Sequence, residues 1–354
     1  MLMNRFEWIW ECFLRLRVDV MQQKRSFIVW GTGEYGHTLA AILQEINLKP
    51  YAYVDQNSGK WHNVFAGQEI QSPDDVLSEL QDVDIVLAMN IDIAQPLKDS
   101  LIERGQKHIY TMQEFVFHLL GKSVSILEIG PLHAPVFVGP MVKYFDVMDA
   151  TGLKEKAIKH HLSTKHVPDV IDFVSPNGKW DMVDESFDMV YSAHVLEHQP
   201  DLIRHLQAVL SHVRSGGSYI MAVPDKRFCY NYYDPLTTLA EVLTAYYEKR
   251  TRHSFQTLLR AARTTHNDLM RHWHGDHGKP PSLTRRCCDI MASTWQKSLN
   301  GGDYIDAHAW YFTPDNFRRL ISSLIQLDFL SIAQYEVQDT ERGTNEFYVC
   351  LRKK

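Results

Sequence analysis

Between residues 124 and 198, four short apolar runs each stop at a polar or small residue, and this alternation limits the chain to few folds. Ser125-Ile126-Leu127 stops at Glu128-Ile129-Gly130, and Val142-Lys143-Tyr144-Phe145 stops at Asp146. A third run ends near Asp172, and Phe187-Asp188-Met189-Val190-Tyr191 opens into Ser192-Ala193-His194. Runs of this kind read as parallel strands of an open α/β sheet. In such sheets ligands bind in the crevice beyond the carboxyl ends of the strands. The stretch from Gly130 to Val142 is too short and too rich in proline (Pro131, Pro135, Pro140) for a crossover helix. A loop is expected there instead.

A second α/β unit precedes this one, over residues 26–121. The strand Ser26–Trp30 runs into Gly31-Thr32-Gly33-Glu34-Tyr35-Gly36, a helix follows from His37, and the strand Tyr51–Val54 ends at Asp55. This is the GxGxxG dinucleotide pattern between strand and helix, with an acid about 20 residues on. Its glycines let the backbone approach a pyrophosphate at a helix N-terminus. The unit therefore offers Gly31, Gly33, Gly36 and Asp55 as a second nucleotide site. It is similar to small Rossmann-like modules found on sugar-modifying enzymes. Nucleotide or nucleotide-sugar binding, a structural or assembly role, and hydride transfer all stay open, although no dehydrogenase substrate domain follows.

Whole-chain properties narrow the function class. At 354 residues two domains are expected, each with its own core. A net charge of −6 without a long basic run argues against nucleic acid as a partner. The five cysteines (Cys12, Cys229, Cys287, Cys288, Cys350) lack CxxC spacing, which fits a reducing, cytoplasmic compartment and no structural zinc. No apolar run is long enough to span a membrane. Residues 1–25 place Phe6, Ile9, Trp10, Phe13 and Leu16–Arg17 on one helical stripe, while Arg5, Glu7, Glu11, Arg15 and Arg17 interrupt the apolar run that a signal peptide needs. Such a helix packs on the first domain or on a second subunit of a homodimer, or docks weakly on a membrane surface.

After the fourth strand, residues 200–213 show a helical stripe (Leu202, Ile203, Leu206, Val209, Leu210) stopped by Gly216-Gly217, and the strand Tyr219–Val223 follows. Residues 225–312 then read as a mostly helical insertion, broken at Gly275–Pro281. A helix from Thr313-Pro314 and two strands, Phe329–Val337 and Glu346–Leu351, close the chain. The expected fold class is α/β: a Rossmann-like domain (26–121), then a domain of seven strands (122–354) with a helical lid inserted after its fifth.

With LEIGP at 127–131, SAHVLEH at 192–198, AVPDKR at 222–227 and TTLAEVL at 237–243, residues 124–352 resemble bacterial class I methyltransferases that use S-adenosylmethionine. Such proteins are often linked to surface-polysaccharide synthesis. The resemblance implies that Glu128, Gly130, Pro131, Asp146, Asp172, Ser192 and His194 bind the cofactor. Within this set Asp146 takes the ribose hydroxyls and Asp172 meets the adenine. It also implies a small-molecule or saccharide acceptor, methylated on oxygen. One departure stands out: the family turn is GxGxG, whereas this chain has Gly130-Pro131-Leu132-His133-Ala134, so a different loop approaches the methionine end. A non-catalytic nucleotide-sugar binding or assembly protein is the reading from another class, and an oxidoreductase built on the first domain is a third.

A hydroxyl acceptor must lose a proton at or near the transition state, and histidine suits that task at neutral pH. His194, just past the fourth strand, is one candidate base. His194, Glu197 and His198 also spell the HxxEH pattern of one class of zinc peptidase, here in the wrong fold context. The insertion supplies His272 and His274 as further catalytic candidates. His274, Asp276, His277 and His308 are candidates for a divalent metal that orients a sugar diol. Trp273 and Trp310 are candidates for stacking on a sugar face.

Overall fold

Strands buried on both faces need covering layers on both sides. Phe27–Trp30, the central strand of the first unit, is such a strand, with all four side chains buried. The computed structural model describes residues 25–80, 82–120, 124–302 and 304–354. The helix expected over residues 1–25 (apart from its last residue), Cys12, the stop at Gly121 and Asp303 lie outside the described residues. Among the described residues, no helix is long and apolar enough to cross a membrane.

The chain divides into two units. The first runs to Val124 and takes in Val136–Val142; the second comprises Ser125–Pro135 and Lys143–Lys354. In the first, strands β1 (Phe27–Trp30), β2 (Ala52–Val54), β3 (Val64–Phe65), β4 (Gln68–Gln71), β5 (Asp84–Leu87) and β6 (Ile109–Thr111) lie in the order β3-β4-β2-β1-β5-β6. All pairs are parallel except β3 with β4. Alternate residues of β1 face opposite cores: Phe27 and Val29 meet Leu39, Leu43 and Phe115, while Ile28 and Trp30 meet Val76, Ala94 and Leu101.

In the second unit, β7 (Ile126–Ile129), β8 (Val142–Asp146), β9 (Phe173–Val174), β10 (Phe187–Ala193), β11 (Val213–Pro224), β12 (Ile332–Gln338) and β13 (Glu346–Lys353) form one sheet in the order β12-β13-β11-β10-β7-β8-β9. β10 runs parallel to β7 and β11, and β13 runs antiparallel to β11 and β12. The strand order reverses between β7 and β10, which places a topological switch point there. The amphipathic helices Leu202–Ser211 and Pro314–Gln326 bury Leu206, Val209, Phe317 and Leu324 in the core of this sheet. Four helices (Leu239–Tyr247, Phe255–Ala261, Leu269–Trp273, Arg285–Leu299) lie between β11 and the helix that opens at Pro314.

Two local readings are corrected. The third strand is Phe173–Val174, so Asp172 precedes it rather than ending it; Ser175 follows, its N–H donating to Asp146 O at 2.8 Å. A strand of two residues is too short to show a period. The helix at 202 ends at Ser211 rather than at the glycines, because Val213 pairs with Phe187 and Gly216 lies in the bulged arm of β11.

Candidate active site

Local sequence builds the switch point. Gly130 leaves β7 with φ +69°, a left-handed conformation that glycine adopts without strain, and its N–H donates to Phe145 O at 2.9 Å. A Cβ at Gly130 would lie 3.0 Å from Val195 Cγ2, so the turn after β7 and the turn after β10 approach closely. Pro131 follows, its carbonyl accepting from Ala134 N–H at 3.2 Å; no helix forms there. Glu128 is buried in β7, opposite Tyr191. Asp146 ends β8, buried, with Oδ1 accepting the Met148 N–H at 3.1 Å. Burial raises the Asp146 carboxyl, opposed by backbone N–H groups of Met148 and Val147. Glu128, Gly130, Pro131 and Asp146 thus sit at the carboxyl ends of β7 and β8.

Two other expected cofactor contacts are otherwise engaged. Asp172 Oδ2 accepts the Tyr144 N–H at 2.9 Å and tethers the entry of β9. Ser192 is buried within β10, and its hydroxyl lies 2.9 Å from Tyr219 Oη.

Beyond β10 the chain turns sharply. His194 has φ +53°, unusual for a side chain with a Cβ, and its N–H donates to Ala222 O at 3.0 Å. Such strain, held by the surrounding structure, is typical of functional positions. His194 Nε2 lies 2.7 Å from Glu346 Oε2, and Tyr348 Oη donates to Glu346 Oε1 at 2.8 Å. Glu197 follows, fully buried, with neither carboxylate oxygen hydrogen-bonded. Around its Oε1 stand His194 Nδ1 at 3.6 Å, His198 Nε2 at 3.6 Å and His308 Nε2 at 3.9 Å. Burial raises the Glu197 carboxyl, opposed by the nearby histidines. His198 Nδ1 lies 2.7 Å from Asp306 Oδ1. Burial lowers the His198 imidazole, but Asp306 and Glu197 outweigh it and the net shift is upward. Its bond to His198 holds Asp306 down at about 2. Burial drives His308 down to about 3.

The remaining insertion residues go elsewhere. His272 is buried, with Nδ1 at 2.9 Å from His277 Nδ1 and Nε2 at 3.1 Å from His266 O. His277 stacks on Tyr232 with ring centroids 3.6 Å apart. His274 is exposed and bonds through Nδ1 to Met270 O, and Asp276 pairs with Arg271. The four expected metal candidates are therefore not one cluster: among the described residues, the converging metal-competent group is Glu197, His198 and His308. Of the four, only His308 belongs to it. Trp273 stacks on Phe228 at 3.8 Å, and Trp310 is buried, its Nε1–H donating to Gln199 O. Phe228 covers one face of Trp273, and Trp310, though buried, borders the cavity described next. A cavity of about 240 Å³ lies beside this region, lined among others by Thr244, Arg250, His253, Arg260 and Trp310.

Sequence reading missed Glu197 as the group on which the histidines converge and missed Glu346 as the partner of His194. The HxxEH spacing was the only signal for Glu197, because the partners come from distant parts of the chain.

In the first unit the glycine turn has the expected form. A Cβ at Gly36 would lie 2.2 Å from Gly31 O, so helix and strand touch there, while a Cβ at Gly33 would meet open space. Asp55, however, is engaged by its own fold. Its Oδ2 accepts from Thr32 N–H (3.1 Å), Thr32 Oγ1–H (2.6 Å) and Lys60 Nζ (2.8 Å). Burial pushes this carboxyl up, but those donors prevail and hold it at about 2. It is not free to take a ribose diol.

Residues 142–221 match the family model described as a methyltransferase domain. No curated protein matches the chain. Among solved structures, the chain is similar to a SAM-dependent methyltransferase from Thermotoga maritima (13% identity, covering 66% of this chain and 84% of that one, TM-score 0.32). It is also similar to the CcbJ methyltransferase from Streptomyces caelestis (12% identity, 66% and 90%, TM-score 0.33). A third is human N-acetylserotonin methyltransferase in complex with SAM (14% identity, 64% and 47%, TM-score 0.30). Likenesses of this degree say nothing about the acceptor.

Proposed function

We propose that the protein is an S-adenosylmethionine-dependent methyltransferase that methylates an oxygen of a polar, saccharide-like acceptor. The observation that carries the reading is the sheet order β12-β13-β11-β10-β7-β8-β9 with Glu128, Gly130 and Asp146 at adjacent strand ends. The methyltransferase-domain match over residues 142–221 supports it. The residues fit the cofactor: a hollow that a Cβ would fill at Gly130, and a buried carboxylate at Asp146 suited to a ribose diol. When bound, S-adenosylmethionine supplies an electrophilic methyl group on a sulfonium.

The protein's own part is positioning and proton handling. An in-line displacement gains most from holding two reactants in line in a water-poor crevice. His194, oriented by Glu346 at 2.7 Å from its Nε2, is the residue that would take the acceptor's hydroxyl proton. Arg250, His253, Arg260 and Glu241 give the neighbouring cavity a polar lining that suits hydroxyl groups, and its size, below the ~300–1,000 Å³ usual for ligand pockets, suits a small acceptor. The acceptor class and any place in surface-polysaccharide synthesis belong to this proposal. For the first unit, the engaged Asp55 favours a structural or assembly role over hydride transfer.

Titration calorimetry with S-adenosylmethionine and, separately, NAD tests the reading. One S-adenosylmethionine per chain and no NAD is the expected result. A folded chain that binds neither, or NAD alone, overturns it. A screen of nucleotide sugars and oligosaccharides with radiolabelled cofactor then identifies the acceptor.

A further inference from the structure

We propose that Glu197, His198 and His308 form a binding site for one divalent transition-metal ion, with His194 beside it. Glu197 is 0% exposed, and neither of its carboxylate oxygens has a hydrogen-bond partner. A buried carboxylate in that state is costly unless a cation or proton meets it. What faces it are imidazole nitrogens. His198 is held through Nδ1 by Asp306, and His194 through Nε2 by Glu346. In its neutral form, an imidazole that donates through Nδ1 to Asp306 turns the lone pair of His198 Nε2 towards Glu197 Oε1. His308 Nε2 has Tyr230 Oη at 2.8 Å, a donor that an ion would replace. A buried carboxylate oxygen and two imidazole nitrogens converging on one point make a cation site.

The spacing agrees. The three ligand atoms lie within 4.8 Å of one another, with 3.6 Å and 3.9 Å from Glu197 Oε1 to the two nitrogens. Tetrahedral bonds of ~2.1 Å need neighbouring ligands about 3.4 Å apart, so the two contacts to Glu197 need to shorten by only a few tenths of an ångström. Asp306 on the far nitrogen of His198 is the carboxylate–histidine arrangement that orients a ligating ring. Two imidazoles and one carboxylate select a zinc-, iron- or cobalt-type ion over magnesium or calcium, which prefer oxygen donors. Three protein ligands leave a position for water or an acceptor hydroxyl, which the ion would acidify beside His194. That last role rests on the methyltransferase reading; ion binding does not.

The test uses the full chain, free of any histidine tag, stripped by a chelator and titrated with Co²⁺ as the probe. One equivalent per chain with a visible ligand-field spectrum is expected, displaced by Zn²⁺. Glu197→Gln, His198→Ala and His308→Ala should each weaken Co²⁺ binding by tenfold or more, with circular dichroism reporting the fold. His274→Ala, on the exposed loop, should bind as the parent does. If Glu197→Gln does not fold, the two histidine variants decide. No stoichiometric Co²⁺ uptake by the parent, or full uptake by the folded ligand variants, overturns the site. Calorimetry with S-adenosylmethionine on the same samples separates the two claims: cofactor binding without Co²⁺ sinks only the ion, and Co²⁺ binding without the cofactor sinks only the methyltransferase reading.

Discussion

Glu346 Oε2 lies 2.7 Å from His194 Nε2, joining the turn after β10 to the first residue of β13 across 152 residues of chain. The contact selects a tautomer. A carboxylate accepts from Nε2–H and so orients the ring, and Tyr348 steadies the carboxylate from its other oxygen.

His194→Ala should therefore lower kcat by ~10²–10⁴-fold, the usual contribution of a general base, while S-adenosylmethionine affinity is kept. Glu346→Gln, which can donate to Nε2 and reverse the tautomer, should lower kcat by a smaller factor and alter the pH–rate profile. Steady-state kinetics beside calorimetry check both. Full turnover in a folded His194→Ala protein would exclude this role.

Asp146→Ala should weaken S-adenosylmethionine binding about tenfold or more, because a charge-assisted hydrogen bond is worth ~1.5–3 kcal/mol. Asp172→Ala should lower the affinity less, since Oδ2 of that carboxylate already accepts the Tyr144 N–H. Calorimetry on the two variants decides; equal losses would return Asp172 to the cofactor pocket.

Gly130→Ala should cost about 1–3 kcal/mol of stability, the range for a side chain forced into left-handed backbone. Its Cβ would also press on Val195. A melting temperature unchanged from the parent would contradict this.

Asp55 predicts an acid-sensitive first unit. Its carboxyl sits at about 2 in the fold against 3.8 ordinarily, so the folded state binds fewer protons. The resulting stabilisation is complete above pH ~4 and is lost as pH falls towards 2. Hydrogen exchange over residues 52–61 should be faster in Asp55→Asn than in the parent at neutral pH, and the gap should close on acidification. A gap that widens as pH falls would show that the carboxylate is not the source.

Strand ends at Glu128, Asp146 and His194 were legible because a buried strand is an apolar run and its end is a polar break. Gly130 was legible because a sharp turn needs left-handed backbone. Asp172 was misread because a strand of two residues has no pattern of its own; pairing with β8 creates it. The partner of Trp273 was not legible because a ring offers the same face to a sugar as to Phe228, and only packing chooses between them.

By itself, then, the sequence determined the strands of the second unit's sheet other than β9, the glycine turn of the first unit and the histidine-rich character of the insertion, all of which follow from local pattern. The tertiary structure alone decided what those histidines do. His198 meets Asp306 across 108 residues and His194 meets Glu346 across 152. Glu197 gains its character only from being buried with imidazoles on several sides. Hydrophobic periodicity acts over a few residues and can be read in one dimension. The charge state and partners of a buried carboxylate depend on everything within a few ångströms, and chain closure sets that neighbourhood.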